Sequence, residues 1–268
     1  MLRTEGSIER PAGWGAYALA MSPGGFPGRK PGTPPGRLSP APAFIELTAG
    51  VWFEFHAPRT SPILWGRYLD GAEVAYRRRG VESALELDQV ADGRSTSIFA
   101  VAREPDGTVV AGVRFQGPLL EVDQAHVSLE FAGSPGEDMV RDALAYRIPA
   151  GVTEFKAGWV ADGHRAHDAL SDGVARCFVH GMRLLGARHG CCSAGAFATR
   201  RWESSGGRAM PGLEPVPYPN DRYQTTLLWW DLENTRDLAD CRQWQLLSQE
   251  AAQLDQADDR LVLMNATG

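Results

Sequence analysis

The residues from Val152 to Tyr223 constrain the fold more than any other part of the 268-residue chain. The mostly apolar stretch VTEFKAGWVA predicts a strand over 152–161, and the polar turn DGHRAH separates it from an amphipathic helix over about 169–185. The short apolar stretch GCCSA at 190–194 predicts a second strand. A strand, a helix and a strand in so few residues form one βαβ crossover, so the two strands should be parallel neighbours.

The turn after the first strand faces the amino end of the helix. Backbone N–H groups and the helix dipole favour an anionic ligand at such a position. The stretch continues with a short helix that carries Arg200, Arg201 and Trp202, and it ends in a closing strand after Tyr218 and Tyr223. We therefore expect the functional site at this junction.

Composition excludes several classes of function. A hydrophobic content of 43% is ample for one large core, and no apolar run approaches the roughly 20 residues that a membrane-spanning helix needs. The formal charge of -6 argues against a dedicated nucleic-acid binder, because phosphate neutralisation requires a basic face. Since the amino terminus lacks a convincing signal-peptide core, the sequence predicts a cytoplasmic protein.

The four cysteines do not form a metal-binding pattern. Cys191 and Cys192 are adjacent, so on a strand they point to opposite faces, and all four cysteines are interpreted as small buried residues in a reducing compartment. His164 and His167 lie beside Asp168, but without a glutamate between them on a helix the pattern is a weak metal signal. We expect no bound metal.

The rest of the chain predicts a mixed α/β protein. Residues 1–43 are rich in Gly, Pro, Arg and Ser, which predicts a disordered arm. The folded body is expected over 44–232 and a helical extension over 233–268. The remaining elements are predicted as strands around the Ala49-Gly50 turn, a helix over 61–79, hairpin strands over 97–103 and 108–116, a strand over 124–131, a helix over 134–148 and a helix over 234–255.

This order of elements resembles the GNAT superfamily of acyl-CoA transferases. The resemblance covers roughly residues 63–231 and depends on the hairpin VAREPDGTVVAGVRF, the strand, turn and helix of the junction, and the closing segment with its tyrosines. It implies an α/β (α+β) fold with a mixed, mostly antiparallel sheet, a splayed parallel strand pair and flanking helices. In that superfamily a bulge splays the fourth strand from the fifth, and the pantetheine arm of the donor lies in the gap.

The resemblance implies candidate residues for the donor thioester. The bulge would fall near Gly158, Trp159 and Val160, since a glycine inside an apolar strand suits a bulge or a close backbone approach. A backbone N–H there would meet the thioester carbonyl. The candidate cofactor-binding residues are Gly158, Trp159, Val160, Ala161, Gly163, His164 and Arg165.

The pyrophosphate loop that is usual in the superfamily is absent from the turn. Asp162 and Asp168 stand beside the helix start instead, and two acids there would repel a pyrophosphate. One branch of the fold lacks the loop because its donor is an acyl chain on acyl carrier protein. It contains the acyl-homoserine-lactone synthases and the N-acyl amino acid synthases.

Three stretches resemble that branch. AYRRRGVESALELDQVADGRSTSIFAVA is similar to its amino-terminal pattern, VVAGVRF places Arg114 at the arginine of one family strand, and VTEFKAGWV places Glu154 at the acid of another. Ala157 stands where the family usually has an arginine. The resemblance implies an N-acyltransferase, with no tightly bound cofactor, that moves an acyl group from a pantetheine thioester on acyl carrier protein or coenzyme A to a small-molecule amine such as an amino acid.

Three residues are candidates for catalysis. Glu154 is the first candidate base, because a carboxylate on a central strand is costly unless it is used or paired; a salt bridge or an outward-facing position is the alternative. Tyr218 and Tyr223 are candidates for protonating the leaving thiolate, as a tyrosine does in many superfamily members. Either tyrosine could instead be a packed aromatic residue with a satisfied hydroxyl group.

The candidate substrate-binding residues are Arg114, Trp202 and Arg222. The two arginines could hold a substrate carboxylate through a bidentate contact, or could pair with a nearby acid. A basic face around the long helix could dock an acidic carrier protein, or could serve only solubility; its residues are Arg165, Arg176, Arg183, Arg188, Arg200 and Arg201.

Two functions without catalysis stay open. The chain could be a binding module that holds an acyl chain or a peptide in the strand gap of the same scaffold. It could also be a plain interaction domain, which would be favoured if Trp159 or Trp202 fills the cleft.

Overall fold

The computed structural model describes residues 41–266 and places side chains as far as residue 255. The predicted disordered arm over 1–43 lies outside the described residues as far as residue 40. A sheet of nine strands, all within the described range, forms the centre of the fold. Its strands are β1 (Ala43–Glu46), β2 (Val51–His56), β3 (Ile98–Arg103), β4 (Val109–Gln116), β5 (Val152–Val160), β6 (His189–Gly195), β7 (Arg208–Ala209), β8 (Val216–Pro217) and β9 (Gln224–Asp231).

Helices fill the connections between the strands. They are α1 (Pro62–Arg79), α2 (Leu87–Val90), α3 (His126–Glu130), α4 (Glu137–Arg147), α5 (His167–Leu185), α6 (Ala196–Glu203), α7 (Thr235–Leu238) and α8 (Cys241–Ala266). Short 3-10 helices lie at Glu82–Leu85, Val122–Gln124 and Ile148–Ala150. Pro62 at the start of α1 and a left-handed Gly80 at its end are the expected boundary residues of a helix.

The strand order across the sheet is β1-β2-β3-β4-β5-β6-β9-β7, and β8 also pairs with β9. The pairs are antiparallel except for β5 and β6, which are parallel. The predicted hairpin of β3 and β4, the βαβ crossover through α5 and the closing strand β9 are therefore confirmed. The fold class is the predicted one, a mixed and mostly antiparallel sheet with flanking helices.

The two faces of the sheet bury different sets of side chains. Phe99 and Val101 of β3 pack with Trp65 and Tyr68 of α1. Ile98, Ala100 and Ala102 of the same strand point to the opposite face and join the core that packs on α5. This alternation follows from the two-residue period of a strand, and it places α1 and α5 on opposite sides of the sheet.

The parallel pair opens after three residues. The last pair that β5 makes with β6 joins Glu154 and Cys191, and β6 then continues along β9 alone. On its other side β5 carries one extra residue, because Gly112 of β4 lies opposite Trp159 while Arg114 lies opposite Lys156. Such a bulge bends its strand. It lies at 157–158, one residue before the predicted position near 158–160.

Two features hold the bulge in place. Ala157 takes a left-handed conformation with φ of 50°, which costs energy in a residue with a Cβ atom. Its carbonyl accepts a hydrogen bond of 2.8 Å from the hydroxyl group of Tyr68, which is fully buried on α1. A Cβ atom at Gly112 would lie 2.7 Å from the Tyr68 ring, so the glycine gives that ring room beside the bulge.

The predicted strand over 124–131 is wrong. The segment forms a 3-10 turn and the five-residue helix α3. Val127 and Phe131 are buried and stand four residues apart, which is helical rather than strand spacing. The helix predicted over 134–148 begins at Glu137, because Ser134 forms a turn with its hydroxyl group accepting the N–H of Gly136.

The carboxyl-terminal helix predicted over 234–255 is broken into α7 and the longer α8. Cys241 begins α8 and is exposed, so its predicted burial is wrong, whereas Cys177, Cys191 and Cys192 are buried as predicted. Burial raises the pKa of each of these three thiols. Among residues 41–266 no helix combines the length and apolar composition that a membrane crossing requires.

A buried ionic cluster attaches α8 to the sheet. Arg176 of α5 is fully buried; its Nε atom donates to Glu250 at 2.7 Å, and its guanidinium also bonds Glu46 of β1 and Gln243. Glu250 in turn lies 2.9 Å from Nε2 of His180. The cluster therefore joins α5, β1 and α8 through fully paired charges, which is the arrangement that makes a buried charge tolerable.

The basic face predicted around α5 does not form as expected. Arg176 belongs to the interior, so its inclusion in an exposed face is wrong. Arg201 pairs with Asp168 and Asp172, and Arg188 and Arg183 pair with Asp231 and Asp255 respectively. The sequence placed these arginines around the long helix, but it could not show which acids lie beside them.

The substitution Arg176→Met should destabilise the protein by about 3 to 5 kcal/mol, because it leaves the Glu46 and Glu250 carboxylates buried without their cation. The measurement is the free energy of unfolding in urea. Arg183→Met on the same helix is the matched control, since Arg183 is half exposed and 3.7 Å from Asp255, and it should cost less than about 1 kcal/mol. Equal losses in the two variants would contradict a structural role for the cluster.

Candidate active site

A cavity of about 150 Å³ occupies the opening between β5 and β6. It passes from one face of the sheet to the other, because Glu154 and Lys156 line it from the α1 side and Phe155 from the α5 side. Its polar half carries Glu130, Glu154, Lys156 and Tyr218, and its apolar half carries Phe155, Phe178, Ala194, Ala198 and Trp202. The opening therefore joins a charged compartment to an apolar one.

A wider and shallower cleft of about 600 Å³ lies elsewhere, between α1, the β3–β4 turn and the end of β5. Arg78 and Asp162 in its lining pair with each other at 3.0 Å. Trp159 packs its ring against Gly71 there, with ring atoms about 2 Å from the position a Cβ atom would take. The other ionisable residues of this cleft, Arg67, Asp70 and Asp106, are exposed to solvent, whereas the smaller cavity is lined by buried ionisable groups, so the smaller cavity is the candidate site.

Glu154 lines the cavity as predicted, but its carboxylate already has partners. Oε2 accepts the backbone N–H of His126 at 2.8 Å, and Oε1 accepts that of Val127 at 3.0 Å. These are the first two amides of α3, so Glu154 serves as the cap that a helix start requires. The side chain is 1% exposed. Neither alternative for Glu154, a salt bridge or an outward-facing position, is found among the described residues, since backbone N–H groups are its partners, and its role as a base stays a prediction.

Glu130 is an ionisable residue that the sequence interpretation missed. Its side chain is 4% exposed, and its Oε2 atom has no hydrogen-bond partner within the described part of the chain. Burial raises the pKa of Glu130 to about 7. The residue was missed because 124–131 was interpreted as a strand; the spacing of His126 and Glu130, four residues apart on one helix face, was the available signal.

His126 connects three of the groups around the cavity. Its Nε2 atom lies 2.9 Å from the hydroxyl group of Tyr218 and 3.4 Å from Oε1 of Glu130. Its Nδ1 atom lies 3.2 Å from Oε2 of Glu86. Burial, together with the nearby cations Lys156 and Arg114, lowers the pKa of His126, so the ring is neutral near pH 7.

The two predicted tyrosines differ in what their hydroxyl groups do. Tyr218 lines the cavity and contacts His126, and burial raises its pKa. Tyr223 also lines the cavity, but its hydroxyl group donates at 2.6 Å to the carbonyl of Arg79, at the end of α1. Tyr218 is therefore the tyrosine whose hydroxyl group belongs to the polar network.

Arg114 and Lys156 form a pair of neighbouring cations. They are direct partners across β4 and β5, so both side chains point to the α1 face. Arg114 is 3% exposed, contacts the hydroxyl group of Thr96 at 3.4 Å, and keeps Nε buried without a partner. Burial lowers the pKa of Lys156. Neither cation forms an ion pair with any described carboxylate, which makes this face attractive to an anion.

The other predicted residues lie partly outside the cavity. Gly158 and Trp202 line it, and a Cβ atom on Gly158 would lie 3.7 Å from the Trp202 ring. Arg222 is exposed and lies over the Tyr223 ring at 6.0 Å. The remaining predicted donor-binding residues do not line the cavity, and Trp159 and Ala161 line the wider cleft instead; the full set is Trp159, Val160, Ala161, Gly163, His164 and Arg165.

Hydrogen bonds and ion pairs of its side chains hold the turn before α5. Nδ1 of His164 accepts a hydrogen bond of 3.0 Å from the backbone N–H of Ala166, and Nε2 of the same ring lies 3.3 Å from Oε1 of Glu104. The two acids that were expected to repel a pyrophosphate are each paired, Asp162 with Arg78 and Asp168 with Arg201. Among the described residues no group of three His, Cys, Asp or Glu side chains is arranged to hold a metal ion.

No protein-family model matches the chain. Among solved structures it is similar to FeeM, an N-acyl amino acid synthase from uncultured soil microbes, with a TM-score of 0.50 and 9% sequence identity. That likeness covers 72% of this chain and 96% of FeeM. At such an identity the likeness concerns the fold, which is the GNAT-like fold that the sequence resembles.

Two curated relatives are closer in sequence. The uncharacterised protein Rv1356c of Mycobacterium tuberculosis (strain ATCC 25618 / H37Rv) is 39% identical over 197 residues, which are 74% of this chain and 75% of the relative. The uncharacterised protein Mb1391c of Mycobacterium bovis (strain ATCC BAA-935 / AF2122/97) matches with the same identity and the same coverage. With its GNAT-like fold, the chain belongs to the family of these mycobacterial proteins.

Proposed function

We propose that the protein is an N-acyltransferase that moves an acyl group from a pantetheine thioester to a small-molecule amine. The observation that carries the proposal is the cavity between β5 and β6, which joins an apolar compartment to one with an unpaired carboxylate. FeeM, whose fold the chain shares, is an N-acyl amino acid synthase. The proposed acyltransferase domain covers 44–232, and 233–268 is proposed as a helical extension.

The thioester would enter from the apolar face. Beyond Glu154, β5 has no strand partner on the side of β6 within the described residues, so main-chain groups along that edge face the opening. Such groups can polarise the thioester carbonyl and stabilise the oxyanion that forms when it is attacked. Phe178 and Trp202 would then surround the acyl group.

The amine would enter from the polar face. A primary amine arrives as an ammonium ion, and it must lose one proton before its nitrogen can attack the carbonyl carbon. Glu130 suits that task because its pKa of about 7 matches the working pH and its Oε2 atom is unpaired. Lys156 and Arg114 would attract a carboxylate on the acceptor, which favours an amino acid as the amine.

The donor could be acyl coenzyme A or acyl carrier protein. The arginine partners of Asp162 and Asp168 offset the repulsion that these acids would exert on a pyrophosphate. Arg165 and Arg200 are exposed and could contact an acidic carrier protein. Both donors are therefore retained in the proposal, and the cytoplasmic location stays a prediction.

Thiol release tests the proposal directly. The protein should release thiol from acyl coenzyme A or acyl carrier protein when an amino acid is added, as measured with a thiol-reactive dye, and mass spectrometry should detect the N-acyl product. If no pairing of donor and amine releases thiol, the transferase proposal fails. A retained acyl ligand that no amine discharges would instead support the non-catalytic binding module.

Glu130→Gln should lower kcat by about 100-fold to 10,000-fold, because the amine loses its proton acceptor. The same variant should be more stable than the wild type above pH 7. Folding raises the pKa of the Glu130 carboxyl group from 4.5 to about 7, so the folded state holds the proton more tightly than the unfolded state does. The free energy of unfolding of the wild type therefore falls as the pH rises from 4.5 through about 7, because the charged carboxylate is buried. The gain should be on the order of 3 kcal/mol in urea unfolding at pH 8.

Glu154→Gln is the control for Glu130→Gln. Its amide group would set an N–H donor against the backbone N–H of Val127 or His126, which Glu154 now accepts. It should therefore lose stability at pH 8 rather than gain it. A loss of stability in Glu130→Gln, without a change in kcat, would contradict the role given to Glu130.

Trp202→Ala should shift the donor preference towards longer acyl chains. The cavity, at about 150 Å³, is small beside the pockets of about 300 to 1,000 Å³ that hold larger ligands, and Trp202 closes its apolar half against Phe178 at a ring distance of 4.9 Å. The wild type should therefore prefer short acyl groups.

The measurement is the ratio of kcat/KM for octanoyl and acetyl donors, which a general loss of folded enzyme does not change. Trp202→Ala should raise this ratio by at least about tenfold, the effect of a methylene or more in an apolar pocket. Trp52→Ala on β2, half exposed and outside the cavity lining, is the matched control and should leave the ratio unchanged. A wild-type preference for octanoyl donors would contradict the assignment of Trp202.

A further inference from the structure

We propose that His126 and Glu86 form, with Tyr218, a proton relay that carries the reaction's second proton from the amine nitrogen to the leaving thiolate. The inference rests on the proposed function and assigns to it two residues that line no part of the cavity. Tyr218 is the member that faces the cavity. His126 acts through Tyr218 and Glu86 acts through His126, so both are positioning residues.

The contacts of the three side chains favour one position for the ring proton of His126. Nδ1 of His126 lies 3.2 Å from the Glu86 carboxylate, which can only accept, so we assign the ring proton to Nδ1. In a neutral ring Nε2 then carries the lone pair, and it accepts the hydroxyl proton of Tyr218 at 2.9 Å. The Tyr218 oxygen is left with lone pairs that can accept a proton from the cavity.

The backbone holds the relay rigidly. The N–H of His126 donates to Glu154 at 2.8 Å, which fixes the start of α3 and with it the histidine ring. Glu86 takes a left-handed conformation with φ of 49°, between the 3-10 helix Glu82–Leu85 and α2. A residue with a Cβ atom rarely adopts this conformation, and such strain gathers where a side chain must be aimed.

The charges around His126 would allow its ring to accept a proton from Tyr218 and to give it back. Glu86 lies on one side of the ring and Glu130 on the other, 3.4 Å from Nε2, and both favour an imidazolium ion. Lys156 and Arg114 oppose it from β5 and β4. Three further titratable groups belong to the surroundings, namely Glu154 of β5, Tyr76 of α1 and Tyr218 itself.

The reaction has one proton for such a relay to carry. When the neutral amine attacks, a C–N bond forms and the carbonyl π electrons move to oxygen, which leaves the nitrogen with a proton to lose. Tyr218 takes that proton while its own proton passes to Nε2 of His126. When the oxyanion re-forms the carbonyl, the C–S bond breaks, and the proton returns from His126 through Tyr218 to the thiolate. The products are the amide and the free thiol.

Steady-state kinetics of His126→Gln tests the relay, because glutamine can keep a hydrogen bond but cannot carry the proton. With an acyl coenzyme A donor kcat should fall by about 100-fold, and KM should change by less than about twofold, since the variant removes no binding contact. With an aryl thioester donor, whose thiolate leaves without a proton, most of the loss in kcat should disappear.

Glu86→Gln is the second variant, because it disturbs the relay without changing α3. It should lower kcat by about tenfold and show the same recovery with the aryl thioester. His56→Gln is the matched control: both nitrogens of His56 are also engaged, by Ser61 and Glu54 at 3.1 Å, but far from the cavity lining. It should leave kcat unchanged.

The outcomes separate the relay from the proposed function. Wild-type protein that releases no thiol from either donor overturns the proposed function, and the relay with it. Active wild type with equal losses for coenzyme A and aryl thioesters in His126→Gln and Glu86→Gln overturns the relay alone, as does full activity in both variants.

Discussion

One extra residue in β5 determines where a ligand can enter this protein. The bulge at 157–158 bends the strand away from β6, so that a sheet which is otherwise continuous opens at one place. Tyr68 holds the bulged carbonyl of Ala157, and Gly112 gives the Tyr68 ring its room. Because strand side chains alternate between faces, the opening places a polar set and an apolar set of residues on its two sides. This arrangement suits the proposed transfer between an apolar acyl donor and a polar acceptor.

The position of α3 beside the sheet depends on Glu154. A helix of five residues is too short to be stable alone, and α3 is kept at the sheet by the Glu154 carboxylate, which accepts its first two amides. Glu130 of α3 lines the opening, and His126 of the same helix contacts Tyr218 beside it. In the geometry observed, Glu154 holds the helix that carries Glu130, the residue that we propose as the base, and the role of Glu154 itself as a base stays a prediction. The energy gained from its two hydrogen bonds is what makes a buried carboxylate at this position tolerable.

The sequence allowed the sheet and its opening to be predicted, because both follow from local patterns. Apolar alternation marked β3, β4 and β5, and a glycine inside β5 located the bulge to within one residue. On the polar side of the cavity, Glu154 and Tyr218 were predicted as site residues, but the residues of α3 were not. Glu130 and His126 lie in a helix shorter than two turns, which has no periodicity to detect. Arg176 appeared as a surface charge because nothing on α5 indicates that α8 covers it. In both cases the deciding contact joins residues far apart in the chain.

The buried charges around Arg176 and those around the opening between β5 and β6 differ in how completely they are paired. Around Arg176 each charged group has a partner, and the cluster serves to hold α8. Around the opening, Glu130 keeps a buried oxygen atom and Arg114 a buried nitrogen atom without a partner among the described residues, while Glu86 and Ala157 hold left-handed backbones. The same chain can thus pair its buried charges fully, so incomplete pairing is not a general property of its interior. Nδ1 of His180 in the Arg176 cluster is also buried without a partner, but no carboxylate or guanidinium atom of that cluster is. Unpaired atoms of charged groups and left-handed backbones that lie together at one opening are typical of a functional site.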